Sequence, residues 1–229
     1  MKITIITPFP EILSGPLSTS ILGRAGSNGI VEYNVIDLRE FGKGPHKKID
    51  DYPFSGGPGM VMLAEPIFEA FESEFSGVNA NLKVILPSPS GVKLDQELSK
   101  ELSKEKELVF ICGHYKGVDE RVVESLVTDE ISIGDYVLSG GEIPALVIID
   151  SIVRLLDGAI NDPESAETDS FSHPLLDVPH YTRPANFRGM EVPEILLSGD
   201  HEKIRRWKDD MRLQRTRERR SDLLRGDKS

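Results

Sequence analysis

Short apolar, β-branched runs recur along the chain at Ile3 to Thr7, Ile30 to Leu38, Leu82 to Leu86 and Leu108 to Cys112. The intervals between them are long enough for helices, so the pattern predicts an α/β domain. Within those intervals Pro66 to Phe75 and Leu94 to Leu102 have apolar residues at helical spacing, and Asp95 suits a first turn. The longest apolar-periodic segment is Ile143 to Leu156. Pro144 near its start, after the flexible Ser139-Gly140-Gly141, predicts a buried helix fed by a tight loop. From Asp157 to Leu175 the chain turns polar and rich in turn residues, then runs through Pro179, Pro184 and Pro193 to a terminal arm. The organisation read from this is an α/β domain over residues 1–160, a flexible linker or lid over 161–175, and a small helical, basic domain over 176–229.

Composition narrows the classes. With 229 residues, 38% apolar and 28% charged, the chain is long enough for a real core and is neither disordered nor collagen-like. Unbroken apolar runs such as Ala145 to Ile149 are far below the roughly 18 residues that span a bilayer. The opening MKITIITPFP lacks a signal-peptide cleavage pattern, so a cytoplasmic location is expected. Cys112 is the single cysteine, and the five histidines show no metal-ligand spacing. The net charge of −11 argues against a polyanionic partner only as an average. Residues 201–229 hold 11 Lys and Arg against 6 Asp and Glu, leaving 16 against 32 for the first 200. As a helix, that arm has an apolar stripe of Ile204, Trp207 and Met211. Beside it runs a cationic one of Arg205, Lys208, Arg212, Arg215 and Arg219. A solvated helix face and a nucleic-acid contact both fit the stripe.

Three glycine clusters are candidates for close backbone approach to a ligand: Ser55 to Gly59, Gly113 to Gly117 and Gly134 to Gly141. None matches the dinucleotide fingerprint or the P-loop. The second and third follow the strands predicted at Leu108 to Cys112 and Glu130 to Ile133, and ligands of open α/β sheets collect at the carboxyl ends of strands. Arg154, four residues after Asp150, reads either as half of a helix ion pair or as a guanidinium aimed at a developing oxyanion. Among the linker carboxylates Asp162, Glu164, Glu167 and Asp169, physical chemistry alone selects no general base.

At this point a set of motifs resembles a known family. They are Asp50-Asp51 with Gly56-Gly57-Pro58-Gly59-Met60, Leu94-Asp95-Gln96, Cys112-Gly113, Gly117 with Asp119-Glu120-Arg121-Val122, the unbroken run Ser132 to Glu142, and Pro179 to Pro184. The stretch Met190 to Ser198 followed by Ile204-Arg205-Arg206-Trp207 extends the set into the arm. Together they resemble the bacterial tRNA (guanine-N1)-methyltransferases, the TrmD family, over nearly the whole chain.

The resemblance implies a SPOUT-class α/β fold: a mostly parallel sheet with a trefoil knot, flanked by helices, acting as a homodimer. It implies transfer of a methyl group from S-adenosylmethionine to N1 of the guanosine immediately 3′ of the anticodon, within the tRNA anticodon stem-loop. The cofactor is expected between three segments, with contacts from Leu86, Pro87, Ser88 and Pro89, from Gly113, Tyr115 and Lys116, and from Ser132, Ile133, Gly134, Asp135, Tyr136, Val137, Leu138, Gly140, Gly141 and Pro144. Asp169 is expected as the base that removes the N1 proton, and Arg154 as the group that stabilises charge on O6. Substrate contacts are expected from Asp50, Gly59, Ser165, His180, Arg183, Arg205, Arg212 and Arg215.

This chain also departs from the family pattern. His114 and Lys116 stand where relatives usually carry arginine and glutamate. The glutamate is associated with the magnesium dependence of the family reaction. A lysine ammonium, with donors only, cannot ligate Mg²⁺, which leaves the Mg²⁺ requirement open. Alternative readings are a ribose 2′-O-methyltransferase, which need not deprotonate a base nitrogen, and a non-catalytic RNA- or cofactor-binding relative.

Overall fold

The computed structural model describes residues 1–54, 56–77, 82–160 and 169–224. The chain divides into two compact units, Met1–Asn161 and Asp162–Ser229.

In the first unit, five parallel strands form one sheet in the order β2-β1-β6-β5-β7. They are β1 Lys2–Thr7, β2 Glu32–Asp37, β5 Lys83–Lys93, β6 Glu107–Ile111 and β7 Asp129–Ser132. Two-residue strands β3 Asp50–Asp51 and β4 Val61–Met62 pair separately as an antiparallel ribbon. The near-continuous apolar character of β1 and β6 follows from burial on both faces. One face packs Ile3, Ile5, Leu108 and Phe110 against Leu13, Ile148, Ile149 and Ile152; the other packs Ile6, Val84, Val109 and Ile111 against Ile67, Phe71 and Val122. The helices of this unit are α1 Glu11–Ser18, α2 Ser20–Ser27, α3 Ala64–Glu72, α4 Gln96–Leu102, α5 Glu120–Leu126 and α6 Glu142–Val153, with α2 and α4 adding Leu22, Ala25 and Leu102 to the core.

Local chemistry sets several boundaries. Asp95 caps α4 by accepting from the Leu98 amide at 2.8 Å, and Asp119 caps α5 by accepting from Arg121 at 3.0 Å. The helix anticipated at Ile143 to Leu156 is α6, buried along most of its length, and Gly141 precedes it. Strand β5 is longer than the apolar run Leu82 to Leu86. Pro87 and Val92 both register with Ile131 of β7, so Ser88, Pro89, Ser90 and Gly91 bulge out between them. Two prolines, without amide donors, cannot continue a regular ladder there.

The second unit holds a hairpin of β8 Asn186–Phe187 and β9 Met190–Glu191, then α7 Glu194–Leu197 and α8 His201–Arg219. The hairpin is an addition to the helical domain expected from the sequence. Asp200 caps α8 by accepting from the Lys203 amide at 3.1 Å. Among the described residues, no helix is long and apolar enough to cross a membrane.

Candidate active site

A cleft of about 590 Å³ opens at the bulge of β5 and the carboxyl ends of β6 and β7, within the roughly 300–1,000 Å³ usual for small-molecule sites. Three segments line it: Leu86 to Ser90, Gly113 to Val118, and Glu130 to Gly141 without Asp135, with Pro144 behind. Its apolar wall includes Leu86, Ile131, Ile133, Leu138 and Pro144, and its polar rim includes Glu130, which accepts from Ser90 Oγ at 2.9 Å.

The segment after β7 folds on itself. Gly134 has φ +144°, and a β-carbon there would come within 2.5 Å of the Tyr136 ring, so only glycine lets that ring lie over the backbone. The Tyr136 hydroxyl donates to the Ile133 carbonyl at 3.2 Å and fixes the ring. The segment after β6 meets it directly. Gly141 N–H donates to the Gly113 carbonyl at 2.8 Å, and His114 and Gly140 form an antiparallel bridge. A β-carbon on Gly140 would overlap the His114 imidazole. The same loop is tied to the Met60 to Met62 segment through Lys116 N–H to the Met60 carbonyl, 3.0 Å, and Met62 N–H to the Gly117 carbonyl, 3.0 Å.

Behind the two loops lies a polar cluster that sequence reasoning missed. His114 Nε2 is 2.7 Å from Glu142 Oε2, and Thr7 Oγ1 donates to Glu142 Oε1 at 2.6 Å. The Glu142 side chain is 2% exposed and that of His114 12%. The Phe9 ring covers His114 with centroids 4.7 Å apart. A glutamate heading an otherwise apolar helix was the available signal, but nothing local points to Thr7. Cys112, beneath the cluster, has its thiol pushed well above its ordinary value by burial and then by the Glu142 charge, so it stays protonated and inert.

Sixteen of the seventeen anticipated cofactor contacts line the cleft. Asp135 is the exception: its side chain is 93% exposed and points to Lys93 Nζ at 3.9 Å. Arg154 caps the end of α6, and its N–H donates to the Asp150 carbonyl at 3.2 Å. Asp150 and burial also bear on Tyr33, whose hydroxyl is pushed up to about 12, by burial first and the Asp150 charge second. Asp50 lies in β3, and Gly59, at φ +101°, lies against the aliphatic stem of Lys116.

The remaining expected residues are in the second unit. Asp169 is half-buried, and its carbonyl accepts from Ser172 N–H at 3.2 Å. Ser165, with Asp162, Glu164 and Glu167, lies outside the described residues. His180 Nε2 is 2.8 Å from Asp177 Oδ2, and Arg183 and Arg205 are exposed. Arg212 is half-buried rather than fully solvated as the cationic stripe suggests: it lies 3.5 Å from Asp177 and 3.3 Å from Asp209. Arg215 has its Nε buried. Burial works against ionisation of Asp177, yet the Val178 amide, His180 and Arg212 together hold its carboxyl below the ordinary range. The apolar stripe Ile204, Trp207 and Met211 is half-buried, as a packing face requires.

Comparison with known proteins gives the arrangement its context. The chain is 54% identical over 225 residues to a tRNA (guanine-N(1)-)-methyltransferase of Moorella thermoacetica, covering 98% of this chain and 90% of the relative. It is 51% identical to one of Shouchella clausii, covering 99% and 92%, and 48% identical to one of Ruminiclostridium cellulolyticum, covering 98% and 96%. The profile described as tRNA (Guanine-1)-methyltransferase TrmD matches residues 1–226, so the chain belongs to the TrmD family.

Proposed function

We propose that this tRNA (guanine-N1)-methyltransferase takes its methyl group from S-adenosylmethionine held in the cleft and delivers it to the guanosine immediately 3′ of the tRNA anticodon. The observation that carries the reading is the convergence of three glycine- and proline-bearing segments on one cleft at the β5 bulge and the ends of β6 and β7. The cofactor fits it chemically. A nucleoside with an amino-acid tail needs an apolar slot for its base and backbone polar groups for its edge, which Leu86, Leu138, Pro144 and the 132–141 backbone supply. When bound, it supplies an activated methyl group.

The chain's own work is to prepare the acceptor. Guanine N1 carries a proton at neutral pH, so Asp169 removes that proton while Arg154 stabilises negative charge on O6. The rest is alignment, which the clipped loops provide by holding the cleft in one geometry. The same reading includes a trefoil knot, supported by the contact of the segment around Gly141 with Cys112 and Gly113. It also includes a homodimer in which Asp169 of one subunit serves the cleft of the other, supported by exposed apolar side chains on α1 and α6. Exposed Arg183 and Arg205 in the second unit suit the anticodon stem-loop. Around Lys116 the donor set does not fit Mg²⁺. The ammonium repels a cation, and among the described residues no three His, Cys, Asp or Glu side chains cluster as ligands. The proposed proton transfer is assigned to Asp169, with Arg154 stabilising the charge left on O6.

The test is methyl transfer to purified tRNA with guanosine after the anticodon, followed by location of the methyl group in the digested product. N1-methylguanosine is expected, with a loss of at least about 10²-fold in Asp169→Ala and Arg154→Ala, while calorimetry gives unchanged S-adenosylmethionine affinity. Full activity in Asp169→Ala overturns its role as base, and a ribose 2′-O-methyl product overturns the reaction.

A further inference from the structure

The hairpin of the second unit has two chemically different faces. Phe187 registers with Met190 and Asn186 with Glu191, so each pair projects to its own side of the ladder. The polar pair is closed by a bond from Asn186 Nδ2 to Glu191 Oε1 at 3.2 Å. The apolar pair is open: Phe187 is 54% exposed and Met190 63%. Between them, Arg188 and Gly189 turn the chain with φ +54° and +80°, and the Asn186 side chain accepts from Gly189 N–H at 3.1 Å. Arginine is an unusual residue for that left-handed position. Its guanidinium lies over the Phe187 ring at 5.2 Å, so cation and aromatic face form one small surface.

A flat ring, a polarizable thioether and a guanidinium are the side chains on which unpaired bases stack while an adjacent phosphate is neutralised. A protein partner would favour a broader apolar area than this two-residue ladder offers. We propose that the Phe187–Arg188–Met190 face is a stacking platform for an unpaired base of the RNA substrate. This rests on the reading of the chain as a tRNA methyltransferase and adds where, in the second unit, a loop nucleotide is gripped. The platform contributes sequence-tolerant affinity, because every base has a π-face.

Fluorescence anisotropy with two labelled probes tests it: an anticodon stem-loop RNA and a fully paired RNA duplex of equal length, at fixed salt. Phe187→Ala is expected to weaken stem-loop binding roughly tenfold, within the span of one lost base stack, and to leave duplex binding and the salt slope unchanged. Phe187→Trp, which keeps a stacking face, restores binding. Stem-loop affinity within twofold of wild type in Phe187→Ala, equal weakening on the duplex, or loss of a dimer by light scattering would each overturn the platform. Thermal unfolding of each variant shows whether it is folded. If Phe187→Ala is misfolded, Met190→Ala carries the same test, and duplex-equal or absent weakening there overturns the proposal as well. Wild-type protein that methylates tRNA while Phe187→Ala binds normally refutes the platform alone; wild-type protein that methylates no tRNA refutes the underlying reading.

Discussion

At His114 a single imidazole joins parts of the chain that are far apart in sequence. Its Nε2 meets Glu142, which also accepts from Thr7, 135 residues away from it in the sequence. A buried carboxylate is tolerable only with its oxygens satisfied, and here each has a partner. His114→Ala removes one of them and opens space above Gly140. The expected cost is on the order of 1–3 kcal/mol, read as a lower unfolding temperature, together with weaker S-adenosylmethionine binding by calorimetry. His114→Gln, which keeps a donor, recovers part of both; identical losses in the two variants would show that the hydrogen bond contributes nothing. The importance of the cleft loops was legible, because Gly113 to Gly117 and Ser132 to Gly141 follow strand-like runs. The cluster behind them was not, since hydrogen bonds between distant residues leave no local pattern.

Elements translate the sequence less literally than residues do. The apolar run Leu82 to Leu86 marks β5 correctly, but the strand resumes after the Ser88 to Gly91 bulge because Ile131 accommodates registers with both Pro87 and Val92. In α8 the 3-and-4 spacing of the basic residues is real, yet Arg212 is half-buried against Asp177 while also pairing with Asp209 on its own helix. Charge periodicity specifies a helix face and not what that face touches. Asp177 gives this packing a pH signature. Its folded-state carboxyl lies below the ordinary value of about 3.9, so its stabilisation is complete above that value and is lost as pH falls through the lower, folded one. Asp177→Asn should therefore lower the unfolding temperature at neutral pH and flatten its decline below about pH 4. An acid profile parallel to wild type would count against this linkage.

For the whole molecule, the proposed dimer is the feature most open to direct test. Ile143 and Val147, one helical turn apart on α6, are 51% and 43% exposed, and Ile12 on the packed neighbour α1 is 40% exposed. Val147→Glu places a charge in that surface and is expected to convert a dimer to monomers by light scattering, with at least a tenfold loss of methyl transfer. A variant that remains dimeric and active would remove this face from the interface. The sequence by itself determined the α/β class, because short β-branched apolar runs separated by segments of helical spacing state how each segment buries its apolar side, and it marked the glycine loops through their chemistry. Motif order identified the family. Only the tertiary structure decided the strand order β2-β1-β6-β5-β7, the meeting of His114 and Thr7 on the Glu142 carboxylate, and the pairing of Arg212 with Asp177. Each depends on which distant surfaces pack together, and packing partners are set by the shape and saturation of the whole core rather than by any local spacing.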